Sequence, residues 1–175
     1  TFMAWIKIEE YRDNSVIFYE GKPWARTTLE INNEGRIITY SNGNPPLNFG
    51  NFNSSAVLDT NRWYHIAYVG DISYRKFYIN GELDKEISGS YDQTQSDSEY
   101  SESIISFGGG YNNNQGYFSG NIDEISLWTS ALSEQEIQGR MFTPLIPSNE
   151  YGLVAYYPFD EGDNSSTAYD VAGNN

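Results

Sequence analysis

The sequence predicts an all-β protein: two antiparallel sheets packed face to face as a jelly-roll sandwich, with one short helix. Three observations carry this expectation. Aromatic residues make up 16% of the 175 residues, with 15 Tyr, 9 Phe and 4 Trp, and such side chains suit the pleated, half-buried surface of a sheet. Short apolar runs recur along the chain, separated by stretches rich in Gly, Asn and Ser, which is the rhythm of strands and turns. Only one stretch carries the punctuation of a helix. Many short strands with a single helix argue for a sandwich or barrel and against βαβ units.

The elements follow in order. Residues 2–8 (Phe-Met-Ala-Trp-Ile-Lys-Ile) read as a strand with one face partly polar, and 16–19 as a second. Residues 27–31 and 36–40 flank Asn32-Asn33-Glu34-Gly35, which is the pattern of a hairpin. Residues 42–60 read as loop. Order returns at 63–69, and 76–79 turns through Asn80-Gly81 into Glu82-Leu83. Asn-Gly supplies the two positive-φ residues of a tight type I′ turn. Residues 88–102 have almost nothing to bury and read as a mobile surface loop. Residues 104–107 form a strand, 108–116 a glycine-rich loop, and 117–128 one or two further strands. Residues 133–140 are helical, with Ser133 as N-cap and Glu136 at the capping-box position. Beyond a proline-bearing stretch, 152–159 is the last strand.

Charge narrows the function. Twenty-four acidic residues against 10 basic give a formal net charge of −14, which repels phosphate backbones and anionic membranes. Nucleic acid is excluded as a partner, and no apolar stretch is long enough for membrane insertion. The same carboxylates offer hard oxygen ligands to calcium. With no cysteine there is no disulfide framework, thiolate metal site or cysteine nucleophile, which suits a secreted or cell-surface protein. The start at Thr1-Phe2-Met3-Ala4-Trp5 reads as a cut from a longer chain.

Several runs, in order, resemble motifs of the laminin-G-like branch of the concanavalin A-like lectin/glucanase superfamily, in its bacterial, pentraxin-like form. Residues 2–8 resemble its strand with a buried tryptophan. Trp63-Tyr64-His65-Ile66-Ala67 resembles its "W-x-H-hydrophobic-A" strand, and Tyr78-Ile79-Asn80-Gly81 its hairpin. Phe118-Ser119-Gly120-Asn121-Ile122-Asp123-Glu124-Ile125 resembles its "F-x-G-x-I-D-E-hydrophobic" strand, and 131–137 the short helix after it. The resemblance covers most of residues 1–142 and implies a concanavalin A-like sandwich over 1–149. Residues 150–175, with Gly152-Leu153-Val154-Ala155-Tyr156 and Tyr169-Asp170-Val171-Ala172-Gly173, resemble the opening strand and loop of such a domain. They therefore close this sandwich, begin a further repeat, or complete a neighbouring copy.

Catalytic chemistry is not expected. His65 is the only histidine, it sits in an apolar strand, and without a second base no nucleophilic triad assembles. A glycosidase needs two carboxyl groups about 5–10 Å apart. Asp123 and Glu124 are adjacent, so on a regular strand they point to opposite faces. Trp5, Trp63 and Trp128 lie in strands and read as core.

Candidate binding residues lie in the loops. Trp24, Tyr111, Asn113 and Tyr117 combine aromatic faces for stacking on sugars with an amide for the hydroxyls. The resemblance implies a calcium ion, for which Asp123, Asp160 and Asp170 are the candidate ligands, with Glu161 and Asp163 nearby. Asp123 reads equally as a carboxylate held by backbone amides, and Asp170 as an Asx-turn. The expected function is a non-enzymatic, extracellular binding or adhesion module for a glycan or a cell-surface protein, supported by calcium. The alternative is a structural repeat pairing with neighbouring copies by strand complementation; a glycoside hydrolase ranks below both.

Overall fold

In the computed structural model of the chain, residues 1–22, 25–42, 52–71, 73–88, 104–110, 116–162 and 165–173 are described. They run through β1 (Phe2–Ile8), β2 (Ser15–Lys22), β3 (Ala25–Ile31), β4 (Ile37–Asn42), β5 (Phe52–Asn53), β6 (Trp63–Gly70), β7 (Tyr74–Ile79), β8 (Glu82–Ser88), β9 (Ile104–Phe107), β10 (Gly120–Trp128) and α1 (Glu134–Arg140). After a single 3₁₀ turn at Pro147–Asn149 comes β11 (Leu153–Tyr157). The strands form a six-stranded sheet ordered β11-β10-β1-β6-β7-β8 and a five-stranded sheet ordered β5-β4-β3-β2-β9. Every pairing in both is antiparallel. The expected two-sheet sandwich is the one observed.

Its position explains the composition of β1. Phe2, Ala4, Ile6 and Ile8 point into the space between the sheets, where they meet Ile17, Phe18, Leu29, Ile31 and Ile37 of the opposite sheet. Aromatic pairs fill the gap: Phe2 stacks on Phe18 at 4.8 Å and Phe52 on Phe77 at 4.7 Å. Each such side chain taken fully out of water contributes about 1.5–3 kcal/mol. A second apolar cluster lies on the outer face of the six-stranded sheet, where Met3, Ala67, Val69, Tyr78 and Trp128 pack under Leu132 and Ile137. Alternation along β1 therefore fails at Met3, because α1 covers that end of the outer face.

α1 is set down by local chemistry. The Ser133 side chain accepts from the Glu136 amide while Glu136 Oε2 accepts from the Ser133 amide at 2.8 Å, closing the expected capping box. Gln138 Nε2 donates to Gly81 O at 2.9 Å, fixing the helix to the β7–β8 turn, where Asn80 and Gly81 both have positive φ. At the far side, the Asp84 carboxylate accepts from the Ser55 and Ala56 amides at 2.6 and 2.8 Å and joins the two sheet edges.

Some boundaries differ from the sequence reading. β8 runs on to Ser88, a short strand β5 interrupts the stretch read as loop, and Tyr117 makes only an isolated bridge with Val16. Of the loop expected over 88–102, residues 89–102 lie outside the described residues, as do Trp24, Tyr111 and Asn113. Residues 153–157 form the edge strand of this same sheet, paired with β10.

Gly120 shows why a glycine opens β10. A Cβ there would lie 2.1 Å from the Lys7 carbonyl oxygen. Gly120→Ala should cost about 3 kcal/mol, the upper end of overpacking penalties. Urea unfolding checks this: the midpoint should fall with an unchanged m-value, and a midpoint equal to wild type would show that β1 and β10 are not so closely held.

Candidate functional site

Residues directly opposite one another in an antiparallel pair share a face. The registers of β1 with β10 and β6 therefore lay three rows across the outer face: Ser126–Met3–Ala67, Asp123–Trp5–His65 and Asn121–Lys7–Trp63. α1 covers the first row only. Beyond it, residues 141–145 cross the second row as a strap, held where Trp5 Nε1 donates to Met141 O at 2.9 Å and where Phe142 sits 5.6 Å from the Trp5 ring. The third row is uncovered. Trp63 is 41% exposed, with Lys7 Nζ 5.8 Å from its ring centroid. The expectation that Trp63 is core is corrected here: the helix stops short of it. Trp128 is core as expected, and Trp5 is half-buried.

Between Met3 and Trp5 the register of β10 slips by one residue. The extra residue is Glu124, whose φ of 52° lies in the left-handed region. That conformation is strained for a side chain other than Gly, Asn or Asp and gathers at functional sites. It also breaks alternation, so Asp123, Glu124 and Ser126 all face outward. The sequence argument that Asp123 and Glu124 point to opposite faces fails for this reason. Glu124 enters a recess of about 240 Å³ together with Trp5, His65, Phe142, Thr143 and Tyr156.

The electrostatics follow from partial burial. Desolvation raises the Glu124 carboxyl, the hydrogen bond it accepts from Tyr156 Oη lowers it, and Asp123 and Asp160 raise it again. Asp123 is also raised, first by burial and then by Asp160, against the hydrogen bond its Oδ1 accepts from the Glu124 amide at 3.0 Å. Burial pushes the Tyr156 phenol up, and the Glu124 carboxylate adds to this. His65 is 2% exposed and burial lowers it to about 4, so the imidazole is neutral. Asn80 holds its backbone, accepting from the His65 amide at 3.0 Å and donating to its carbonyl at 2.8 Å. The ring stands edge-on to Trp5, and its Nδ1 is buried with no hydrogen-bond partner. The strap's cation is committed: Arg140 Nε donates to Glu150 Oε2 at 2.9 Å, and the guanidinium lies over Trp128.

The remaining candidates are placed as follows. Tyr117 is 64% exposed and lies against Gly109, away from the recess. Asp170 Oδ1 accepts from the Tyr156 and Ala172 amides, both at 2.9 Å, while the Val171 amide donates to Tyr156 O. That Asx-like turn ties up the outward backbone groups of β11 at Tyr156. Asp160 is exposed near Asp123 and Glu124, and Asp163 lies outside the described residues. Calcium takes six to eight oxygens. Among the described residues no three of His, Cys, Asp and Glu come close enough together to hold an ion.

The family model of the concanavalin A-like lectin/glucanases superfamily matches residues 1–138. Among solved structures, a protein from Bacteroides ovatus described provisionally as carbohydrate binding aligns with 99% of this chain and 49% of its own, at 23% identity and a TM-score of 0.75. This chain thus spans about half the length of that protein. Domain 4 of an extracellular arabinanase from Geobacillus stearothermophilus, in complex with arabinotriose, aligns with 79% of this chain and 64% of its own, at 19% identity and a TM-score of 0.60. A heptameric SAP-like pentraxin from Limulus polyphemus aligns over 78% and 66%, at 16% identity and a TM-score of 0.57. At these identities the likenesses are of fold. No curated protein matches the chain.

Two expectations follow from the site. With His65 near 4 folded and about 6.5 unfolded, the unfolded state binds more protons between those values. Stability is then full above pH 6.5 and falls by about 3 kcal/mol on acidification to pH 4. Asp123 and Glu124, raised in the folded state, act in the opposite sense and blunt the acid end. Chemical denaturation across pH should show this slope, and His65→Gln should flatten it; equal slopes would clear His65 of the effect. A melt in EDTA and then in millimolar calcium should give one melting temperature. A calcium-dependent rise would show that an ion is bound, and alanine variants of Asp123, Asp160 and Asp170 would then locate it.

Proposed function

The chain belongs to the concanavalin A-like lectin/glucanase superfamily, and we propose that it is a non-catalytic carbohydrate-binding module working outside the cell, with its site on the outer face of the six-stranded sheet. The observation that carries this reading is the exposed Trp63 beside Lys7, continuous with the half-buried Trp5 and the exposed Phe142 around a recess lined by hydrogen-bonding side chains. Sugars present C–H faces that settle on aromatic rings and hydroxyls that bond to carboxylates, amides and imidazole. Asn121, Asp123 and Glu124 supply carboxylates and an amide on the same face. Strands position them more rigidly than loops would. The names of two structural neighbours, one carbohydrate binding and one holding arabinotriose, point the same way.

Hydrolysis is not part of the reading. Asp123 and Glu124 are consecutive residues of β10 and of the two only Glu124 lines the recess, whereas a glycosidase sets its two carboxyl groups on either side of the scissile bond. A structural role beside neighbouring copies has one observation in its favour: Phe142, Ile146, Tyr151 and Tyr169 are 74, 60, 94 and 62% exposed. Against strand complementation stands the Asp170 turn, which already caps β11 at Tyr156.

Titration calorimetry against neutral oligosaccharides tests the proposal, with light scattering on the same sample. A monomer that binds, and a Trp63→Ala variant weakened about tenfold with an unchanged melting temperature, is the expected result. A folded protein that binds no saccharide and assembles would instead make it a structural repeat.

A further inference from the structure

We infer that the recess takes one uncharged sugar residue at the end of a glycan chain, with Trp63 carrying the residue next to it; this rests on the carbohydrate reading above. Size is the first argument. The recess measures about 240 Å³, below the ~300–1,000 Å³ of pockets that enclose drug-sized ligands, so it admits one ring and not two. Shape is the second. Sheet residues form its floor and the 141–145 strap bounds it, which favours a chain end over a chain lying across it.

The third argument is the state of the side chains. Glu124 stands in the left-handed region at the slipped register and already accepts from Tyr156. His65, 2% exposed and neutral, lines the recess without adding a charge to it. A hydroxyl donates to the Glu124 carboxylate without bringing a new charge into the recess. Charge is the fourth. Glu124 lines the recess, the charges of Asp123 and Asp160 act on its carboxyl, and Arg140, the lining cation among the described residues, is held by Glu150 and Trp128. A uronic or sialic acid in the recess would meet carboxylates without a free counter-charge.

Two residues along β1 from Trp5, a rise of about 7 Å, Lys7 stands opposite Trp63. The exposed indole is therefore one sugar further out. Affinity should increase from one residue to two and then level off.

The experiment titrates methyl glycosides of neutral hexoses and pentoses, their di-, tri- and tetrasaccharides, and matching chains ended by an acidic sugar. Expected for wild type are a gain of about tenfold from mono- to disaccharide, no further gain beyond about threefold, and binding at least about tenfold weaker for the acid-ended chains. Thr143→Trp, an exposed position on the strap, should plug the recess and abolish binding of every length at an unchanged melting temperature. Trp63→Ala should lose only the disaccharide gain. Glu124→Gln, which keeps the shape and a partner for Tyr156, should narrow the preference for neutral over acidic ends. Affinity that climbs through the tetrasaccharide, with Thr143→Trp binding like wild type, would overturn the recess and leave the carbohydrate reading standing. Preferred binding of acid-ended chains would overturn the choice of ligand. A folded wild type that binds no saccharide removes this inference with the reading beneath it.

Discussion

β10 carries one residue more than β1 can pair, and the outer face of the six-stranded sheet takes its form from where that residue goes. On the inner face Ile122 and Ile125 keep to the core around Ala4 and Ile6, which fixes the chain on either side of the slip. The surplus must be absorbed between them, and the outer face is the only side with room. Glu124 takes it up at a positive φ. Backbone strain of this kind costs on the order of 1–3 kcal/mol and persists where surrounding packing over-determines it. Here the packing on both sides is the sandwich core itself. The consequence is a carboxylate on the same face as Ser126, bonded to the Tyr156 hydroxyl, where a regular strand would alternate.

The strap completes what the slip begins. α1 is short, seven residues, and it reaches only the Met3 end of β1 before the chain leaves it at Met141. An uncovered Trp5 would have an indole N–H facing outward. Met141 O takes that hydrogen, and the chain is thereby drawn over the second row but not the third. So three rows of one sheet face have three environments: apolar core under the helix, a half-covered polar recess under the strap, and an open tryptophan beyond. Buried water-excluding contacts hold the first; the other two have polar or aromatic surface left over for something else.

The fold was legible because its signals are local and repeated. Asn80-Gly81, the Asn32–Gly35 turn and the Ser133/Glu136 box each specify a piece of backbone by chemistry that does not depend on the rest of the protein. The motif around Gly120 was legible by resemblance, and its physical cause is the Lys7 carbonyl beneath it. The site was not legible for two reasons. Alternation assigns faces only in a regular strand, and nothing in Asn121-Ile122-Asp123-Glu124-Ile125 marks the slip, since a positive φ is usually betrayed by Gly or Asn. Trp63 reads as core because an apolar strand in the middle of a sheet is usually covered on both faces; its exposure depends on where a helix seventy residues later happens to end. Asp170 was open between two readings, and the two amides on its Oδ1 give it a structural occupation.

The burial of His65 shows how the two halves of the molecule depend on each other. Its backbone is locked by Asn80, in the turn on which Gln138 of α1 is anchored through Gly81. Hydrogen bonds thus link the helix, the turn and the histidine, and the strap beside the recess is the direct continuation of that helix. A neutral imidazole is the form this arrangement selects, because the protein supplies no partner for a second proton at Nδ1. A partner that donates to the Glu124 carboxylate without a charge of its own would bind in this recess at no cost in desolvating a new charge. Hydroxyl-rich, uncharged molecules are the class with that property and with the apolar faces that Trp5 and Trp63 present. On the proposed reading, the ligand's chemistry would follow from the carboxylate and the aromatic surface that the fold leaves on this face, and the slip at Glu124 is what places that carboxylate there.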